Sequence, residues 1–169
     1  ADWVHERGHR LKDFNKNPLD TPPHLTQTAW CADMAIEFME EDRGDTPWLM
    51  SVNPFDPHPP LDPPRQYLGR YQPDQLPGYP VGAGDVAHQR RFADVDFGTP
   101  DKPIELERRQ QMQAAYFAMI TLIDDNGGRM LESRDRGGQR QDTLVIFTSD
   151  HGDMVGEHEL MHNGSRVYE

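Results

Sequence analysis

The chain has 169 residues, about one domain's worth and enough for a sizeable core. Only 35% of the residues are hydrophobic, and 15 prolines with 14 glycines assign much of the length to loops. A net charge of −12 argues against a nucleic-acid partner, which needs basic surface, but not against a small anionic substrate held through a cation that inverts the local field.

The single cysteine, Cys31, rules out an internal disulfide and leaves the redox compartment open. No apolar run approaches the roughly 20 residues that span a membrane. Residues Ala1 to Glu6 do not form a signal peptide. The compartment and the oligomeric state are not legible. No internal repeat is visible.

Residues 1–23 are polar, with Pro18, Pro22 and Pro23, and read as an extended lead-in. A helix is expected from about Leu25 to about Asp42, because Leu25, Ala29, Ala32, Ile36 and Met39 recur at helical spacing. Cys31 lies off that stripe with no cationic neighbour in sequence, so it reads as a packing residue and not as a nucleophile. Gly44 is placed to give that helix a left-handed exit. Pro47 to Asn53 is an apolar run of strand length, and the helix leading into it fits an α/β unit.

Next comes Pro54-Phe-Asp-Pro-His-Pro-Pro60, in which Pro57 and Pro59 stiffen the backbone on both sides of His58. An imidazole fixed in this way is a candidate site residue, and an exposed histidine in a proline loop is the alternative. Residues 54–103 hold eleven of the fifteen prolines, which no continuous helix or central strand survives. Tyr67, Tyr71, Tyr79, Phe92 and Phe97 favour an ordered loop packed on the surface. A long helix is expected from about Ile104 to about Arg134, with Met112, Tyr116, Met119, Ile123 and Met130 as its buried stripe. Its methionines read as core. Asp124 and Asp125 point about 100° apart on a helix and read as structural. Gly127-Gly128 weaken the helix and are a place for a kink.

Thr143 to Thr148 is apolar or β-branched without alternation, the pattern of a strand buried on both faces of a parallel sheet. It stops at Ser149-Asp150-His151-Gly152, so a carboxylate and an imidazole sit side by side at the carboxyl end of a strand, where open α/β sheets bind ligands. Together they suit a divalent cation; a polar turn capped by Asp150 is the bland alternative. If 47–53 and 143–149 run parallel, His58 and Asp150 emerge on one edge of the sheet. His158 and His162 are four apart, but Gly156, Asn163 and Gly164 disfavour a helix there, and the HExxH pattern of zinc enzymes is not met.

Three stretches in order carry a resemblance that covers about residues 25–169. Thr148-Ser-Asp-His-Gly-Asp-Met-Val-Gly-Glu-His158, continuing to Glu169, resembles the second signature region of the sulfatases, in the alkaline phosphatase superfamily. Phe55-Asp-Pro-His-Pro-Pro60 is similar to that family's Pro-His-Pro loop, and Tyr116 to Arg129 to its helix before the metal strand. The resemblance implies a three-layer α/β sandwich around a mostly parallel sheet, present here as a partial domain. Residues 1–169 would be the central part of the catalytic domain, with 54–103 as a Pro-rich loop insertion and with the nucleophile region and C-terminal subdomain absent.

It further implies a hydrolase of small anionic sulfate esters in which a formylglycine, made from the cysteine of a Cys-x-Pro-Ser-Arg motif, is the nucleophile. The metal ligands implied are Asp150 and His151. Calcium is the ion implied first, with manganese or magnesium as alternatives. His58 would contact the sulfate or assist the leaving group, and Asn163 stands where the family usually has a sulfate-binding lysine. Cys31 is followed by Ala32-Asp33-Met34, so the nucleophile motif is not met and the chain alone is expected to be inactive. A phosphonate monoester or phosphodiester hydrolase of the same superfamily is the alternative, and a non-catalytic binding homologue a further one.

Overall fold

The computed structural model describes residues 20–82, 84–91 and 102–160. Helix α1 spans Gln27–Glu40, after a 3-10 turn over Pro23–Leu25. It starts two residues later than the apolar stripe predicts, because Thr26 is the cap. Thr26 is extended (φ −72°, ψ 158°) and its Oγ1 accepts the Ala29 N–H at 3.2 Å, a contact that stabilises a helix by about 1 kcal/mol. The helix stops at Glu40, short of the expected Asp42, where Glu41 turns extended. Gly44 has φ +54° but lies beyond the helix, in the turn that Thr46 N–H closes on Arg43 O, so it is not the helix exit.

The short helix α2 covers Arg65–Leu68, a 3-10 turn covers Pro73–Gln75, and α3 covers Asp85–Arg90. Among its described residues the Pro-rich region thus contains only single turns and short helices, as its composition predicts. The long helix α4 runs Leu106–Arg136. It continues through Gly127-Gly128, the pair read as a place for a kink, without interruption. On both sides of that pair, side chains tie the turns together: Asn126 Nδ2 donates to Leu122 O at 2.8 Å, and Arg129 Nη1 donates to Asn126 Oδ1 at 2.8 Å. The helix ends where Gly137 N–H closes on Ser133 O and Gly138 takes φ +73°.

Helix α1 packs along α4. The buried face of α1 is Ala29, Ala32, Ala35 and Met39, and that of α4 is Met112, Ala115, Ala118, Met119 and Leu122. Alanine on both faces allows close approach of the axes. The stripe on α4 is rotated from the predicted one: Met112 and Met119 are core, whereas Tyr116, Ile123 and Met130 are only half-buried. Polar contacts fix the register. Arg129 Nη2 meets Asp33 Oδ1 at 2.5 Å, Ser133 Oγ donates to Glu40 Oε1 at 2.9 Å, and Gln139 Nε2 donates to Met39 O at 3.3 Å.

The Pro-rich segment lies against α4. Tyr67 is 6% exposed and clusters with Ala118 and Leu122, and Tyr71 Oη bonds Thr121 Oγ1 at 2.6 Å. Gln110 Nε2 donates to Leu76 O at 2.6 Å, and Gly78 N–H donates to Gln113 Oε1 at 3.0 Å. A Cβ on Gly78 would come within 2.9 Å of Leu106 Cδ1, and its φ is +67°, so both space and backbone favour glycine there. Asp125 pairs with Arg70 at 3.3 Å, a structural role as expected. Phe92 and Phe97 lie outside the described residues.

The two predicted strands, 47–53 and 143–149, run as extended chain, and among the described residues neither is paired in a ladder. Segment 47–53 alternates: Trp48, Met50 and Val52 are half-buried while Leu49 is 95% exposed. The expectation that 143–148 is buried on both faces is not met, since Leu144, Ile146 and Phe147 are 85%, 77% and 89% exposed. Only Thr143 is half-buried, and Val145 is 48% exposed, so the run lacks the neighbours that its composition is suited to.

Candidate metal and anion site

The run 143–149 delivers Asp150 and His151 to the surface, both exposed. Asp150 Oδ1 accepts the His151 N–H at 2.9 Å, a local turn contact that leaves Oδ2 uncommitted. His151 Nδ1 lies 2.7 Å from Gly152 O. A carbonyl oxygen only accepts, so Nδ1 carries a proton, and in the neutral ring the lone pair is on Nε2. A histidine that binds a metal is commonly fixed in this way, its second nitrogen donating to a backbone carbonyl. His151 Nε2 and Asp150 Oδ2 are 3.8 Å apart. Adjacent donors around one cation at about 2.3–2.6 Å stand roughly 3–4 Å from each other, so the two atoms fit as neighbours in one coordination sphere. The pair stands alone: among the described residues no group of three or more His, Cys, Asp or Glu side chains converges to hold an ion.

His58 sits on the second segment. Its N–H donates to Phe55 O at 3.1 Å, its ring lies 4.5 Å from that of Phe55, and its Nδ1 is 2.7 Å from Pro59 O. By the same reasoning Nδ1 holds a proton, so Nε2 of this exposed imidazole is the nitrogen available to a ligand. A cleft of about 370 Å³ opens beside it, lined by Phe55, Asp56, His58, Asp62, Met119 and Leu122 among others. Burial holds the Asp56 carboxyl above its ordinary range, a hydrogen bond from Thr28 works against that, and the Asp62 charge adds to it. Burial likewise raises Asp62. The cleft contains neither Asp150 nor His151, and no hydrogen bond or ion pair among the described residues joins His58 to either of them.

After Gly152 the chain folds back in a tight turn. Val155, His158 and Glu159 adopt φ of 45°, 50° and 61°, a left-handed backbone that costs about 1–3 kcal/mol per non-glycine residue unless the surroundings enforce it. Here they do. Glu159 is 4% exposed and its carboxylate takes the Ile104 N–H at 2.6 Å and Arg109 Nη1 at 3.3 Å. His158 N–H donates to Pro80 O at 3.1 Å, and its Nδ1 meets Asp85 Oδ2 at 3.0 Å. Asp85 is held below the usual carboxylate range, chiefly by the Gly82 N–H and then by His158. Asn163, the substrate contact expected from sequence, lies outside the described residues, as does His162.

The family model for sulfatases matches residues 6–168. The chain belongs to the sulfatase family. It is thereby a member of the alkaline phosphatase superfamily. It is 30% identical to the arylsulfatase of Clostridium perfringens over 147 residues, covering 87% of this chain and 31% of that one. It is 28% identical over 174 residues to the multifunctional alkaline phosphatase superfamily protein PehA of Trinickia caryophylli, covering 94% and 34%. The structure is similar to the phosphonate monoester hydrolase SpPMH from Silicibacter pomeroyi, with a TM-score of 0.71 at 25% identity over 93% of this chain and 36% of that one. The chain therefore spans about a third of the length of the relatives it matches.

In this sulfatase chain Cys31 is half-buried, and Gln27 Nε2 approaches its sulfur at 3.1 Å. Burial, and then the Asp56 charge, push its thiol up, the opposite of what a nucleophile needs. Sequence reasoning missed three groups around the site: Thr28, Asp56 and the Glu159–Arg109 pair. The last had no readable signal, because its partners are fifty residues apart. Asp56 had one, since a carboxylate enclosed by a stiff proline loop is placed as firmly as its histidine.

Proposed function

We propose that the protein carrying this chain hydrolyses sulfate esters, releasing an alcohol and hydrogen sulfate, and that residues 1–169 are the central part of its catalytic domain. The observation that carries this reading is the Asp150–His151 pair. In a member of the sulfatase family, Asp150 Oδ2 and His151 Nε2 stand 3.8 Å apart while Oδ1 and Nδ1 are taken up by the local turn. The fold that goes with it is a three-layer α/β sandwich in which 47–53 and 143–149 are strands of a mostly parallel sheet. The bare apolar faces of 143–149 support that placement.

Asp150 and His151 would hold part of the coordination sphere of a divalent cation, calcium first, with manganese or magnesium as alternatives. The cation would supply Lewis-acid polarisation of the sulfate oxygens and offset the anion's charge. A formylglycine hydrate, outside these residues, would supply the attacking oxygen. His58 acts through Nε2. When this nitrogen is protonated it donates to a sulfate oxygen or to the departing alkoxide, and when neutral it accepts a proton instead. Asn163, in place of a lysine, would donate hydrogen bonds without charge.

A second reading, a phosphonate monoester hydrolase, is favoured by the likeness to SpPMH. The two separate by kcat/KM of the whole protein on an aryl sulfate and on an aryl phosphonate monoester, each with calcium and with manganese. A preference for the sulfate of about tenfold or more, worth 1.4 kcal/mol of transition-state binding, is expected. The reverse preference selects the second reading, and turnover of neither would leave a binding homologue.

A further inference from the structure

The loop that carries His58 does not stand alone; it is bolted to the first turn of α1. Thr28, 3% exposed on that turn, donates from Oγ1 to Asp56 Oδ2 across 28 residues of sequence. One residue earlier, Gln27 Oε1 accepts the Phe55 N–H at 2.9 Å. Phe55 and Asp56 thus receive two adjacent contacts from the same helical turn. From there the path to His58 is short: Phe55 O accepts the His58 N–H at 3.1 Å, and the two rings are in contact at 4.5 Å. Helix α1 is in turn fixed to α4 by Asp33–Arg129 and Glu40–Ser133. The frame behind His58 is therefore a packed helix pair and not a free loop.

We infer that Thr28, acting through Asp56, is a positioning residue for His58: it sets where the imidazole Nε2 stands relative to the bound ester. This rests on the reading of His58 as a substrate contact. The chemistry favours such a device. A histidine in a proline-flanked loop is stiff along its own backbone, but the loop as a whole still needs an anchor. Misplacing a catalytic group by about 1 Å costs up to roughly 100-fold in rate. A partly buried hydroxyl-to-carboxylate hydrogen bond is short-range and directional, so it suits that task better than apolar packing.

The test uses the whole protein and whichever ester it turns over faster. Thr28→Val keeps the shape and removes the hydroxyl; Thr28→Ser restores the donor. Thr28→Val is expected to lower kcat by about tenfold or more with a smaller change in KM, and Thr28→Ser to recover most of the loss. The same Thr28→Val change is then made in a His58→Ala background, where it is expected to cost less than about twofold, because residues acting as one unit are not additive. Equal losses in both backgrounds would show that Thr28 acts on the fold in general and overturn the inference. If His58→Ala lowers turnover but Thr28→Val does not, the inference fails while the reading of His58 stands. If His58→Ala changes nothing, both fail.

Discussion

Glu159 offers the sharpest test of how the turn after Asp150 and His151 is held. The residue is 4% exposed, and its carboxylate serves two donors, the Ile104 N–H at 2.6 Å and Arg109 Nη1 at 3.3 Å. The Arg109 side chain is only 15% exposed, and its Nε is already buried without a partner. Glu159→Ala therefore strands a nearly buried guanidinium and a backbone N–H together. Breaking one side of a buried pair costs about 3–5 kcal/mol. The orphaned N–H falls within that range and is not a separate addition. Glu159→Gln keeps an acceptor for Ile104 and loses only the charge, so about 1–2 kcal/mol is expected. Urea unfolding of the whole protein and of both variants measures the difference. A cost below about 1 kcal/mol for Glu159→Ala would refute the claim that this contact enforces the left-handed backbone at 155–159.

Asp56 makes stability depend on pH. Burial raises its folded carboxyl above the ordinary value, so its contribution is fully present below the unfolded pKa and lost as pH rises through the folded one. Asp56→Asn keeps an acceptor for Thr28 and cannot ionise. It should melt higher than the parent at pH 7 and converge with it near pH 3.5, followed by thermal unfolding across pH. Asn163→Lys should tighten inhibition by inorganic sulfate by about tenfold or more through the added cation; unchanged inhibition would mean that residue 163 does not face the anion. The 169-residue chain alone should turn over no aryl sulfate with calcium present, and turnover abolished by Cys31→Ala would make Cys31 the nucleophile after all.

The helices were legible because their signals are local. Ala29, Ala32 and Met39 carry the apolar face of α1, whereas the Thr26 cap that sets its start was missed, and Gly137-Gly138 carries the end of α4. The errors came from the tertiary level. The stripe on α4 was read from Tyr116 and Ile123, large apolar residues, whereas the buried face uses alanines at 115 and 118, whose small size is what lets α1 approach. The run 143–148 has the composition of a doubly covered strand, but cover comes from neighbours that no periodicity encodes. Asp150, His151 and His58 could be picked out from strand end, turn and prolines. Which nitrogen of each imidazole is free could not, since that depends on the Gly152 and Pro59 carbonyls.

The central claim is that Asp150 and His151 together hold a divalent cation. The most direct measurement is the metal content of the purified whole protein and of Asp150→Ala and His151→Ala, by elemental analysis after dialysis against trace metal. The account predicts a bound cation in the parent and a loss of about tenfold or more in affinity in each variant, with turnover falling in step. Metal occupancy unchanged in both variants would contradict it.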